Sequence, residues 1–250
     1  MKRLLIFEYK RIKKMKVLYL AWFLCIIIAV LGMVLNRLFY GDTADSSTKM
    51  LSIFNSYTQF SYLILGFLFV TTFTKDNVNG VTSFYKQIGF SYTKQYFGKM
   101  IVLFVCIVPV IALITIICNF IYGNSNLDYF IVLLIAIIVS QIYIMLLAIL
   151  ISLIFENTVK AVLLFFGLFI VFNLLNIVCF GLVNPADSNS ILTYCLANWF
   201  EKGMSHYSLD NVSDFVLKNK VIICCLQPLA CCAILAILDI IIIKRKDAYK

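Results

Sequence analysis

Residues 75–99 read KDNVNGVTSFYKQIGFSYTKQYFGK and lie between two apolar runs, Ile53 to Thr74 and Met100 to Tyr122. The segment holds four Lys against one Asp and carries Gly80, Gly89 and Gly98. Each flanking run is long enough for a helix to cross a hydrocarbon core about 30 Å thick, which takes about 20 mainly apolar residues. A polar island between two such runs returns the chain to one side of a bilayer.

Working outward, four more apolar runs of spanning length appear: Val17 to Leu38, Tyr129 to Phe155, Ala161 to Val183 and Val221 to Ile243. All are too long for the strands of a membrane barrel, which read as alternating segments of about ten residues. Composition agrees: 63% of residues are hydrophobic and only 13% charged, whereas a soluble domain carries roughly 25% charged residues. The reading is an all-α integral membrane protein, one transmembrane domain over residues 1–250, with six transmembrane helices. An N-terminal interfacial helix (1–16), a cytoplasmic loop (75–99) and an outer loop with a short helix (184–220) complete it.

Orientation follows from Lys and Arg in the short flanks. Residues 1–16 hold seven, 75–99 four, 156–160 one and 244–250 four, so sixteen of the twenty-one fall in alternate segments. With those inside, both termini are cytoplasmic, and Asp42, Asp45, Asp128, Asp187, Glu201, Asp210 and Asp214 lie outside. The net charge of +9 is then a topology signal directed at the lipid bilayer, not at nucleic acid. At helical spacing Met1, Leu4, Leu5, Tyr9, Ile12 and Met15 share one side of residues 1–16 and most Lys and Arg the other, with Ile6, Phe7 and Glu8 out of phase. That is the pattern of a helix lying in the interface; a charged cytoplasmic tail is the alternative.

Inside the runs, Asn55 and Gln59 on the second, Gln141 on the fourth, and Asn173 and Asn176 on the fifth are candidates to face other helices or a wet cavity. Asn55, Gln59, Asn173 and Asn176 are taken as candidate pathway residues, with helix-to-helix hydrogen bonding as the plain alternative. Pro109 and Pro228 are expected to kink their helices. Asp239, the one carboxylate inside an apolar run, stands about a turn from Lys244 and is expected to snorkel to the inner interface, with proton relay as the alternative. In the outer loop, Pro185, Asp187, Ser188 and Asn189 form a turn and cap signal, followed by Ile191, Cys195 and Trp199 at every fourth residue. This predicts a short amphipathic helix with Trp199 at the headgroup level.

Chemistry of bond making is not visible. Eight of nine cysteines lie in apolar runs and His206 is the one histidine, so no zinc-type ligand set exists and no metal is expected. Cys224 with Cys231, and Cys225 with Cys232, recur seven apart, as small residues at a helix contact do. No GxxxxGK[ST] phosphate loop and no HExxH motif occur, so the chain lacks its own ATPase, protease or acyltransferase machinery.

The segment from Asp76 resembles the loop between the second and third membrane helices of type-2 ABC exporter permeases, which reads acidic-x-x-x-Gly-Thr, then Pro-x-Ser-Arg, then Gly-Lys. Here Asp76 precedes Gly80 by four, Ser91 takes the Ser position, and Gly98 with Lys99 closes the pattern. Val81 replaces Thr, Gly89 replaces Pro, and Tyr92 replaces Arg, with Lys94 nearby as a charge. The resemblance implies a coupling helix that docks on a separate ABC ATPase subunit, with Asp76, Gly80, Phe84, Tyr85, Ile88, Ser91, Lys94 and Lys99 as the coupling set. It implies ATP and Mg on that partner rather than a cofactor in this chain. It also implies a second permease copy or paralogue and residence in a bacterial cell membrane. Among such permeases the compact, aromatic-rich chain is similar to those of antimicrobial-peptide immunity and phenol-soluble-modulin export, so amphipathic peptides are the expected cargo. Drug, sodium or lipid-like substrates, and a non-transporting anchor or regulator of a partner, are the alternatives.

Overall fold

A computed structural model of the chain describes residues 2–41, 44–155, 157–179, 181–187, 190–197 and 220–249. Trp199, His206, Glu201, Asp210, Asp214, Asp42, Ser188 and Asn189 lie outside these described residues. Within them the chain is all helical. In order come α1 (Lys2–Lys14), α2 (Val17–Tyr40), α3 (Ser46–Val78), α4 (Val81–Gln87), α5 (Tyr92–Tyr122), α6 (Leu127–Ile154), α7 (Thr158–Val178), α8 (Ile191–Ala197) and α9 (Lys220–Tyr249). Six helices, namely α2, α3, α5, α6, α7 and α9, are long and apolar enough to cross a membrane.

α3 and α6 form the centre, with 67% and 61% of their most apolar windows buried, against 17% for α7 and 22% for α9. Small and polar residues let the central helices approach. An added Cβ at Gly66 of α3 would meet the Phe165 ring of α7 at 2.3 Å, and one at Gly32 of α2 would meet Ser56 of α3 at 2.7 Å. Tyr62 stacks on Phe165 with ring centroids 4.6 Å apart, closing the α3–α7 seam. Gln141, fully buried, accepts from the Ser61 hydroxyl at 3.0 Å and donates to the Tyr57 carbonyl at 3.0 Å, so it joins α6 to α3. Tyr57 in turn donates to the Cys25 carbonyl of α2. In α5 the proline at 109 lies within the helix, and a turn before it the Cys106 carbonyl accepts from the Trp22 indole at 2.8 Å.

Helix ends depart from the apolar runs. α3 begins at Ser46 and runs on to Val78, while α5 begins at Tyr92, so residues 75–99 are two helix ends around a short α4 rather than one polar segment. The two ends stay helical because their polar side chains find partners on neighbouring helices. α7 ends at Val178, short of the Val183 expected, because the backbone turns at Gly181 (φ 74°) and folds back on Asn176. The cap of α8 is Ser190, whose hydroxyl accepts from the Thr193 amide at 3.1 Å. Asp239 does not snorkel: it is fully buried, and neither carboxylate oxygen has a hydrogen-bond partner among the described residues. Helical phase, not distance along the chain, decided this, because its face of α9 is turned into the protein.

Candidate functional site

The site is built where α1, the end of α3, α4 and the start of α5 meet. α1 buries Leu4, Glu8 and Ile12, a stripe at every fourth residue, and so turns a carboxylate inward between two aliphatic side chains. Leu4 packs against Gly98 of α5, where a Cβ would stand 3.2 Å from it. Lys16 adopts a left-handed conformation (φ 58°) and breaks α1 from α2.

The inward charge is neutralised across the chain. Arg11 donates to Glu8 at 2.8 and 3.2 Å and makes a two-toothed pair with Asp76, at 2.9 and 2.5 Å. Lys99 donates to the same carboxylate at 2.5 Å and to the Thr72 carbonyl at 2.5 Å, and its ammonium lies 5.0 Å from the Phe73 ring centre. Two carboxylates thus meet two cations, and the cluster closes on itself with no net charge. Burial opposes the Arg11 charge, but the bonds and charges of Asp76 and Glu8 outweigh it and hold the guanidinium above its ordinary pKa. Beside the cluster, Asn77 accepts from the Tyr96 hydroxyl at 2.6 Å and donates to the Ser152 carbonyl at 2.9 Å, which adds α6 to the junction.

Above the cluster sits α4. Gly80 enters it at φ 68° and Gly89 leaves it at φ 86°, a left-handed backbone that favours glycine. Phe90 returns its amide to the Tyr85 carbonyl at 2.9 Å, and Gln95 donates to the Phe90 carbonyl at 2.9 Å. Ser91 caps α5 by accepting from the Lys94 amide. Tyr85 is buried, edge-on to Phe7 at 5.9 Å and to Phe90 at 6.2 Å. Burial, and then the Glu8 carboxylate, push its phenol above the ordinary value. Phe84, Ile88 and Phe7 stay about half exposed around a groove of about 410 Å³ that Arg3, Leu4, Tyr85 and Phe90 also line.

The coupling set of the sequence therefore divides by position. Asp76 and Lys99 are buried in the charge cluster; Gly80 and Ser91 shape the ends of the turn; Tyr85 forms the floor of the groove; Phe84, Ile88 and Lys94 face outward. Arg11 and Glu8 are missing from that set. The signal available in the sequence was a Glu three residues before an Arg, with the Glu on the apolar face of α1.

The four amides lie elsewhere, on α3 and α7. Asn176 is saturated by the loop: it donates to the Asn184 carbonyl at 2.9 Å and to Asp187 at 3.0 Å, and accepts from the amides of Val183 and Asn184. Asn173 accepts from the Asn184 side chain at 3.4 Å. Asn55 and Gln59 are half-buried on α3, and the Asn55 side-chain oxygen has no partner among the described residues. The Tyr62–Phe165 and Tyr62–Phe169 contacts fix the register of the two helices. Counting outward from them brings Gln59 level with Asn173, and Asn55 level with Asn176.

Among the described residues no group of three or more His, Cys, Asp or Glu could hold a metal ion. A family model described as Peptide export permease protein YydJ family matches residues 5–247 of the chain. No curated protein sequence matches it significantly.

Proposed function

The chain belongs to the Peptide export permease protein YydJ family, and from that premise we propose that it is driven by a separate ATP-binding subunit seated on the groove of α1 and α4. The chain itself is a permease component of a peptide exporter. The observation that carries the proposal is Phe84 on a seven-residue helix and Ile88 just past its end, both half exposed between two left-handed glycines, directly above a buried charge cluster. Exposed aromatic and aliphatic side chains around a groove are what a partner surface uses as anchors. The cluster beneath ties α1, α3 and α5 through Arg11, Asp76 and Lys99, so a push on α4 would reach two spanning helices without passing through a flexible linker. Hydrolysis would stay on the partner, with ATP and Mg, and a second permease copy or paralogue would complete the path. The cargo is an amphipathic peptide, and the amides of Asn55, Gln59 and Asn173 would hydrogen-bond its polar side.

The test is co-purification of the full-length permease with its ATP-binding subunit, followed by hydrolysis assays in vesicles. Replacing Phe84 and Ile88 together by Ala should release the subunit or leave hydrolysis unresponsive to peptide, with the helical content of the permease unchanged. An intact complex with peptide-stimulated hydrolysis at the original level would refute the docking site.

A further inference from the structure

Asp239 lies within the spanning part of α9, and it is the one carboxylate there that the export reading leaves without a task. Its residue is fully buried and both oxygens lack a hydrogen-bond partner among the described residues. An isolated ionised carboxylate in such surroundings is prohibitively costly, so the group must carry a proton or find a cation.

Among the described residues the neighbours supply no cation. α9 packs on α6, α8 and α5. The Cys232 thiol reaches the Val139 carbonyl of α6 at 3.7 Å, and Ile243 shares a pocket lining with Leu153. Interpolating between these contacts sets Asp239 level with Leu147 and Ala148. α6 presents only apolar side chains from Ile144 to Ile151, and the nearest hydroxyl beyond them, Ser152, donates to the Ile149 carbonyl. Tyr143 of α6 is a neutral phenol further along, and Asp128 stands at the far end of that helix. On α5, Lys99 is held by Asp76 and Lys94 is exposed; on α8 the titratable groups are Tyr194 and Cys195. On α9 itself Lys244 and Arg245 are exposed beyond the buried Ile243, and Lys246 lines the pocket.

That pocket lies on the far side of Ile243 from the acid. About 50 Å³ in volume, it is lined by Asn77, Thr82, Tyr92, Tyr96 and Lys246 among others, with Ile243 and Leu153 as its apolar wall. Such a space has room for a water molecule or two. Asp239 stands one helical turn, about 6 Å along the axis, behind Ile243.

We propose that Asp239 is a proton-binding site that holds its proton while α9 lies against α6 and exchanges it with water in the pocket when movement at Ile243 lets water reach it. The step balances simply: the carboxylate takes one proton from water on the pocket side to become a neutral acid, and returns it by the same path. Closing α9 on α6 therefore takes up a proton, and raising the pH disfavours the closed packing.

The test is infrared spectroscopy of the full-length permease in lipid vesicles, with carboxyl-labelled aspartate, followed as a function of pH. Expected is a protonated-carboxyl band at neutral pH that moves with the aspartate label, fades as the pH is raised, and is missing in Asp239→Asn. A band absent at neutral pH, a band that persists unchanged to the alkaline limit of folding, or one retained in the variant would each overturn the proposal. The wild-type titration needs no variant to fold. Neither ATP nor a docked subunit enters the measurement, so its outcome is independent of the export reading.

Discussion

Arg11 holds the guanidinium that two buried carboxylates share, and its loss would leave Glu8 and Asp76 with Lys99 as their one counter-charge. Breaking a buried pair by removing one partner costs about 3–5 kcal/mol, so Arg11→Ala should lower the midpoint of thermal unfolding in detergent by a clearly measurable step. Arg11→Lys should recover only part of it, because an ammonium cannot form the two-toothed contact with Asp76. Equal stability of all three proteins would remove the cluster from the account. A second contrast concerns the amides. Gln59→Leu and Asn173→Leu should weaken stimulation of hydrolysis by an amphipathic peptide while sparing the fold. Asn176→Leu should act on structure instead, loosening residues 183–187 and exposing them to protease. Stimulation by a hydrophobic drug or a sodium gradient alone would take peptides out of the proposal. At this scale the sequence showed which residues are unusual but not what they touch. Asp76 was visible from its spacing to Gly80, whereas its partner Arg11 lies 65 positions away and no local spacing reports it. Asp239 was visible as a lone carboxylate, yet the direction it faces depends on a packing partner that the apolar run does not name.

Among the elements, α3 decides how the others sit, since it contacts α2, α6, α7 and α5. Its seam with α7 is a glycine against a ring: Phe165 is fully buried and occupies the place a Cβ at Gly66 would take. Gly66→Ala must therefore push the ring or the helix, and overpacking of this kind costs about 1–3 kcal/mol. We expect a lowered unfolding midpoint for Gly66→Ala and recovery in the double variant with Phe165→Leu, which opens the space. Additive losses would mean that the two residues do not share the seam. The existence of the six long helices was legible because each rests on an apolar run of spanning length. Their ends were not. α3 and α5 extend into polar sequence because Thr72, Asp76, Asn77 and Lys99 bond across helices, and a polar side chain with a partner reads the same in sequence as one left in water.

For the whole molecule the structure gathers most of the Lys and Arg at one end. Contacts of Arg11 with Asp76, of Asn77 with Ser152, and of Lys246 with the pocket at Asn77 place α1, α4, the α6–α7 turn and the end of α9 together. These elements belong to the sequence segments 1–16, 75–99, 156–160 and 244–250, which together hold sixteen of the twenty-one Lys and Arg residues. The opposite end carries the α2–α3 and α5–α6 turns, with Asp45 and Asp128. A basic end of this kind is retained on the cytoplasmic side during insertion, since short flanks rich in Lys and Arg resist translocation. Both termini should then face the cytoplasm. The prediction is checked by single cysteines placed at positions 45, 79 and 125, all exposed at helix ends, in a chain from which the nine native cysteines have been removed. In intact cells a membrane-impermeant thiol reagent should modify positions 45 and 125 and leave 79 untouched until the membrane is opened. Modification of 79 in intact cells, with 45 and 125 protected, would invert the molecule. It would put the groove of α1 and α4 on the side without ATP and end the case for a subunit docked there.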